Sequence, residues 1–181
     1  MLVSIMIAGF GGQGVMLLGR LIGECAFEEN LHVSFLPAYG PEQRGGTANC
    51  TVIVSDEEIA APVAEELDIL CAMNQPSFDK FIGKVKAGGT VYINKTLVNA
   101  DKARERDVEI VEIDADNLAY QLGTVKVANI IMLAAFLATA KILNVDRARE
   151  VVLKKLGKKQ ELLELNRQAF QCGLEQAEKT S

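Results

Sequence analysis

Apolar and polar positions fall into blocks along the chain, and the first block sets the plan. Residues 1–6 are a nearly unbroken apolar run that leads into Ile7-Ala8-Gly9-Phe10-Gly11-Gly12-Gln13-Gly14. Such a run predicts a strand buried on both faces, as in a parallel sheet. Val15, Leu18, Leu21, Ile22 and Cys25 recur at helical spacing, which predicts a helix over 14–29, with Asn30 as a left-handed stop. Further strands are expected at 31–35, 48–54, 67–73, 90–94 and 108–113. The strand at 31–35 runs on into a loop, that at 90–94 follows a Gly88-Gly89 turn, and the alternating one at 108–113 lies nearer a sheet edge. Pro76 at a first helical position opens a short helix to Lys84, and Asp114 caps a helix over 115–122.

The segment 126–143 is apolar nearly all round, so as a helix it belongs in the core or against another subunit. Two amphipathic helices, 145–156 and 158–178, separated by Gly157, complete the pattern. In the last, Leu162, Leu165, Ala169, Phe170 and Leu174 share a face. This alternation predicts one α/β domain over residues 1–181: a single open, mostly parallel, doubly wound sheet with C-terminal helices. A helix as apolar as 127–138 also predicts self-association of the isolated chain, or an exposed apolar patch where a partner belongs.

Composition narrows the function classes. The chain has 181 residues, of which 49% are hydrophobic and 24% charged, so it can bury a proper core. A net charge of −5, with no Lys/Arg cluster, argues against nucleic acid. No signal peptide is visible, and the longest apolar stretch falls short of a membrane span. The scattered Cys25, Cys50, Cys71 and Cys172 form no C-x-x-C pair; they read as reduced thiols of a cytoplasmic protein and cannot ligate an iron–sulfur cluster at that spacing.

Two stretches carry candidate chemistry. Gly9, Gly11 and Gly14 satisfy G-x-G-x-x-G, and Gly11, Gly12, Gln13 and Gly14 would present backbone N–H groups at a helix start. Three readings stay open: a tight turn serving packing, a seat for a phosphate or carboxylate, and a dinucleotide site. The last lacks its carboxylate, since the second strand ends in Leu36-Pro37-Ala38. The other stretch is the loop 37–47, where Arg44 beside Gly45-Gly46 suits a planar anion or is an ordinary surface arginine. Both loops are expected on one rim of the sheet, each following a parallel strand. Asn74, at the carboxyl end of its strand, and Asn129, in the first turns of the apolar helix, complete the candidate set. The single His32 supports no catalytic triad, no cluster has metal-ligand spacing, and no Walker lysine follows the glycines, so catalytic and metal-ligating residues are expected to be absent.

The glycine turn through Val15, the segment Tyr39-Gly40-Pro41-Glu42-Gln43-Arg44-Gly45-Gly46, the run Val52-Ile53-Val54-Ser55-Asp56-Glu57 and the start Lys126-Val127-Ala128-Asn129 together resemble the gamma subunit of the 2-oxoacid:ferredoxin oxidoreductases. The loop variant Tyr-Gly-Pro-Glu-x-Arg-Gly-Gly is most similar to the 2-oxoglutarate and branched-chain types, and less so to indolepyruvate enzymes. The resemblance implies a share in oxidative decarboxylation of a 2-oxoacid, most of all 2-oxoglutarate, to acyl-CoA with reduction of ferredoxin. It implies alpha, beta and delta partner subunits that hold thiamine diphosphate and iron–sulfur clusters, coenzyme A as co-substrate, and no cofactor bound by this chain alone. A stand-alone nucleotide- or phosphate-binding regulatory domain is the alternative that the residues leave open.

Overall fold

The computed structural model describes residues 1–40, 46–157 and 160–180. The N-terminal apolar run forms β1 (Leu2–Phe10), and the glycine turn feeds α1 (Val15–Glu28), which Asn30 stops at φ 60°. There follow β2 (His32–Tyr39), β3 (Thr47–Ser55), β4 (Leu67–Ala72), α2 (Gln75–Phe81), β5 (Val85–Asn94), α3 (Asp101–Arg104), β6 (Val108–Ile113) and α4 (Ala115–Gln121). Then come α5 (Ala128–Ala140), α6 (Val145–Leu156) and α7 (Gln160–Thr180).

One open six-stranded sheet results, in the order β2-β3-β1-β4-β5-β6. β1, β4, β5 and β6 pair in parallel, while β3 is antiparallel to both β1 and β2. Alternate residues of β1 serve opposite faces: Ile5 and Ile7 join a large core with α1 and α4 to α7, while Met6 and Ala8 join a smaller one with α2 and α3. The α/β, mostly parallel and doubly wound expectation therefore holds, with most helical mass on one face.

Several local expectations need correction. β2 does not give way to a loop after Phe35: it continues through Leu36, Pro37 and Ala38 to Tyr39, paired with Ala48 in a hairpin. Pro37 is tolerated because β2 is an edge strand with one side free of ladder bonds. Gly88-Gly89 is not a turn before a strand but lies inside β5, where Gly88 takes φ 74° and the register with β4 shifts between Leu67 and Ile69. Asp114 gives α4 no side-chain cap; its Oδ1 accepts from the Thr96 hydroxyl at 2.8 Å and the Asn117 amide at 2.9 Å. Leu162 is exposed rather than on the buried face of α7, which is formed by Asn166, Ala169, Phe170, Gly173 and Ala177.

The apolar helix α5 is covered by its own chain. Every residue from 128 to 137 is buried, beneath α7, α4, α1 and α6. The reason given for self-association is thereby removed: α5 offers no free face. Among the described residues no helix is long and apolar enough to cross a membrane.

Candidate functional site

Parallel strands of an open α/β sheet deliver their following loops to one rim, where ligands are usually met. Here the carboxyl ends of β1, β4, β5 and β6 bring the glycine turn, Asn74, Asn94 and the start of α4 to that rim. The β2–β3 hairpin reaches the same rim, because β2 is antiparallel to β3 and β3 to β1. It does so across β3 rather than beside β1. Its base touches the turn directly: Gly11 N donates to Gly46 O at 3.0 Å.

Gln13 holds the turn to the sheet. Its Oε1 accepts from Phe10 N at 2.7 Å and from the Asn74 amide at 2.9 Å, while its Nε2 donates to Met73 O at 3.1 Å. Asn74 is the N-cap of α2, its Oδ1 accepting from Ser77 N at 2.9 Å. Both amides thus face inward, joining the ends of β1 and β4. Gly14 is the N-cap position of α1 at φ 77°, without a side-chain cap, so the first-turn N–H groups of α1 have no partner within the helix or from a capping side chain. A Cβ on Gly14 would lie 2.1 Å from the Asn129 amide nitrogen, which shows how closely α5 approaches the turn.

The structure therefore gathers Gly11, Gly12, Gln13, Gly14, Gly46, Asn74 and Asn129 on one rim. Arg44 and Gly45 lie outside the described residues. It adds residues that the sequence reading passed over. A cleft of about 110 Å³ is lined by Gly12, Gln13, Met73, Asp116, Val125, Lys126 and Ala128. Asp116 accepts from the Asn94 amide at 2.7 Å. Asn94 is the last residue of the parallel strand β5, at the same rim as Asn74 just beyond β4, and the same positional rule would have found it. Asn94 and Asn129 are both buried, and the Oδ1 of each lacks a hydrogen-bond partner.

The thiols are poor ligands for a cluster. Burial pushes Cys25, Cys50 and Cys71 up to about 12, which keeps them protonated at neutral pH. Among the described residues no three His, Cys, Asp or Glu side chains come together as a metal site. The donor set of the described residues thus does not fit an iron–sulfur cluster.

Comparison with known proteins places this geometry in a family. Residues 4–176 match the pyruvate ferredoxin/flavodoxin oxidoreductase family. The chain is 35% identical over 178 residues to the ketoisovalerate oxidoreductase subunit VorA of Methanothermobacter marburgensis, covering 98% of this chain and 37% of that protein. It thus spans little more than a third of that relative's length. It is also 35% identical over 176 residues to the 2-oxoglutarate synthase subunit KorC of Methanocaldococcus jannaschii, covering 96% of this chain and 93% of the relative. The solved gamma subunit of a keto/oxoacid ferredoxin oxidoreductase from Geobacter sulfurreducens superposes with a TM-score of 0.80 at 30% identity, over 98% of this chain and 99% of that one. With the match running from within β1 to near the end of α7, this chain belongs to the pyruvate ferredoxin/flavodoxin oxidoreductase family.

Proposed function

We propose that the chain is the gamma-type subunit of a 2-oxoacid:ferredoxin oxidoreductase. Inside a multi-subunit complex it takes part in converting a 2-oxoacid and coenzyme A to acyl-CoA and carbon dioxide, the electrons passing to ferredoxin. The observation that carries this reading is the family match over nearly the whole chain, on a fold shared with a solved gamma subunit. Of the two acids named by similar relatives, 2-oxoglutarate is the one proposed, because the relative named for it is matched along 93% of its own length. Thiamine diphosphate and the iron–sulfur clusters belong, on this reading, to alpha, beta and delta partners. This chain's part is to bind and orient. Within the turn Gly11 to Gly14 the N–H groups of Gly11 and Gln13 are bonded to Gly46 O and Phe10 O. The surface for a negative group, either a coenzyme A phosphate or a partner's carboxylate, is therefore the N–H groups of Gly12 and Gly14 with those of the first turn of α1. Gly46 and, in sequence beside it, Arg44 and Gly45 are proposed to contribute to it.

Reconstitution tests both levels. The complex containing this chain is expected to reduce ferredoxin with 2-oxoglutarate faster than with 2-oxoisovalerate, and the chain alone is expected to reduce neither ferredoxin nor a viologen dye. A partner assembly equally active without the chain sinks the reading. Within the active complex, Arg44→Lys should raise the Michaelis constant for coenzyme A, or weaken assembly, nearly as much as Arg44→Ala, since lysine keeps the charge but loses the bidentate fork. If Arg44→Ala changes neither, the anion surface does not include the hairpin.

A further inference from the structure

We infer that the free edge of β2, with the exposed stripe of α1 above it, seats a second copy of this chain, docked about a two-fold axis so that the two sheets continue as one. The inference goes beyond the subunit reading and does not depend on it. Among the described residues β2 has no neighbour beyond β3. Exposed edges are usually blunted by charges, proline or a covering element. β6, at the other edge, carries Glu109 and Glu112, and Glu112 pairs with Arg104 at 2.7 Å. From His32 to Leu36, by contrast, β2 carries no Asp, Glu, Lys or Arg, and Leu36 is 44% exposed. Backbone geometry selects the register. Gly40 N donates to Thr47 O at 2.8 Å, so the even-numbered residues of β2 bond to β3 and the odd-numbered ones turn their N–H and C=O groups to the free side. Leu31 gives its N–H to Ala26 O, and Pro37 has none to give. A two-fold axis through Ser34 sets Val33 opposite Phe35 of the second copy, and Phe35 opposite its Val33. Four backbone bonds then form without calling on Leu31 or Pro37.

The stripe on α1 is complementary to itself about the same axis. Val33 and Phe35 lie beneath Gly23 and Gly19: a Cβ on each glycine would stand 3.2 Å from Val33 Cγ1 and 3.1 Å from Phe35 Cε2. Ser34 is therefore level with Leu21, midway between them. Leu17, Arg20, Glu24 and Phe27 are spaced three or four apart and share one face of α1, with Phe27 72% exposed. An axis perpendicular to the sheet keeps both α1 helices on one side and sets them antiparallel. Centred on Ile22, Leu17 then meets Phe27 of the second copy, and Arg20 meets its Glu24. That centre is one residue from Leu21, about 1.5 Å along the helix. α1 lies over β3 and β2, and strands about 4.8 Å apart leave the two helices about 10–14 Å apart, within reach of an Arg–Glu pair. Arg20 has no ion-pair partner among the described residues, while Glu24 already meets Lys155 at 3.3 Å. Beside this edge Phe27, Val33 and Phe35, with Arg20 and Glu24, line an open groove of about 370 Å³, which the second copy's stripe closes. Such an interface presents the same patch on both sides, as two-fold dimers require.

Sedimentation and cross-linking of the full chain test the interface and its register. The chain alone is expected to sediment at twice its 19.6 kDa, with a dissociation constant of about 1–10 µM. Arg20→Glu sets like charges against each other and should weaken the dimer at least about tenfold; adding Glu24→Arg should restore it. In a Cys172→Ser background, Ser34→Cys places two thiols opposite each other on the axis, with Cα atoms about 4.5 Å apart, and oxidation should give a covalent dimer. Leu36→Cys stands opposite His32, about 14 Å along the strand from its own counterpart, and should not cross-link. A chain that stays at 19.6 kDa up to about 100 µM overturns the inference. So does a dimer that Arg20→Glu leaves within about twofold of the wild type, or one that Leu36→Cys links as readily as Ser34→Cys, because the copies then meet on another face or in another register. A monomer whose β2 amides become protected from exchange only on binding a different subunit gives the edge to that subunit, and the inference is equally overturned while the subunit reading stands.

Discussion

A side chain at position 14 would have to hold φ 77° and set its Cβ 2.1 Å from the Asn129 amide nitrogen. The first demand costs an L-residue about 1–2 kcal/mol, and overpacking against a buried neighbour adds about 1–3 kcal/mol. Gly14→Ala is therefore expected to lower the stability of the free chain by about 2–4 kcal/mol in a denaturant titration. Asn129→Ala in the same background should return the steric part only; full recovery would mean that φ 77° carries no strain. Residue by residue, the glycine turn was legible because only glycine tolerates such backbone. The roles of Gln13 and Asn74 were not. Position placed both at the rim, but nothing in the sequence said that Gln13 would accept from Phe10 N and Asn74 and so turn inward. Asn94 could have been placed at the rim by position in the same way, but its bond to Asp116 and its unpartnered Oδ1 are visible only in the folded structure.

Elements with one clear period were read well, and those whose boundaries depend on partners were not. Pro37 masks the continuation of β2, because a proline is compatible with a strand only at an edge, and edges are decided by the assembled sheet. The all-round apolarity of α5 left two places for it, and α7 decides between them. There Gly173 lets the backbones meet: a Cβ at that position would lie 2.3 Å from Ile131 O and 2.7 Å from Ala134 Cβ. Because the obstruction is partly backbone, Gly173→Ala must push α7 away from α5, at a cost of about 1–3 kcal/mol, visible as a fall of roughly 2–4 °C in melting temperature per kcal/mol. An unchanged melting curve would refute that packing. At the opposite rim, Asp68 ties β4 to β1 and β5. Burial alone would raise its pKa, but the ion pair with Lys86 and the bonds from Ser4 N and the Ser4 hydroxyl, both 2.8 Å, outweigh it and hold the carboxyl below the usual range. A depressed folded pKa gives stability that is present above the unfolded value of about 4 and is lost as pH falls through the folded value. Asp68→Asn should thus cost on the order of 1–2 kcal/mol at neutral pH, discounted for partial exposure, and flatten the acid limb of the stability curve. An acid limb as steep as the wild type's would show that other carboxylates carry it.

At the scale of the whole molecule, strand order argues against one of the readings that the motif left open, the dinucleotide site. A dinucleotide unit needs its second strand parallel and adjacent to the first, so that a carboxylate at its end meets the ribose beside the glycine turn. Here the neighbour of β1 on that side is the antiparallel β3, and β2 lies one strand further out. The place where a ribose anchor would stand is taken by the hairpin base, whose Gly46 O consumes the N–H of Gly11, the second glycine of the fingerprint. Asn129 closes in over Gly14, the third. The sequence showed the missing carboxylate but could not show this, because antiparallel insertion of β3 is a property of pairing and not of any one strand's pattern. G-x-G-x-x-G turns β1 into α1 beneath Asn129 of α5, and the formal match should not translate into nicotinamide affinity. Titration of the free chain with NAD or NADP by calorimetry is expected to give no saturation up to about 1 mM, equivalent to less than about 4 kcal/mol of binding. A dissociation constant in the micromolar range would mean that the rim rearranges to free Gly11 and open Gly14, and it would overturn the topological argument.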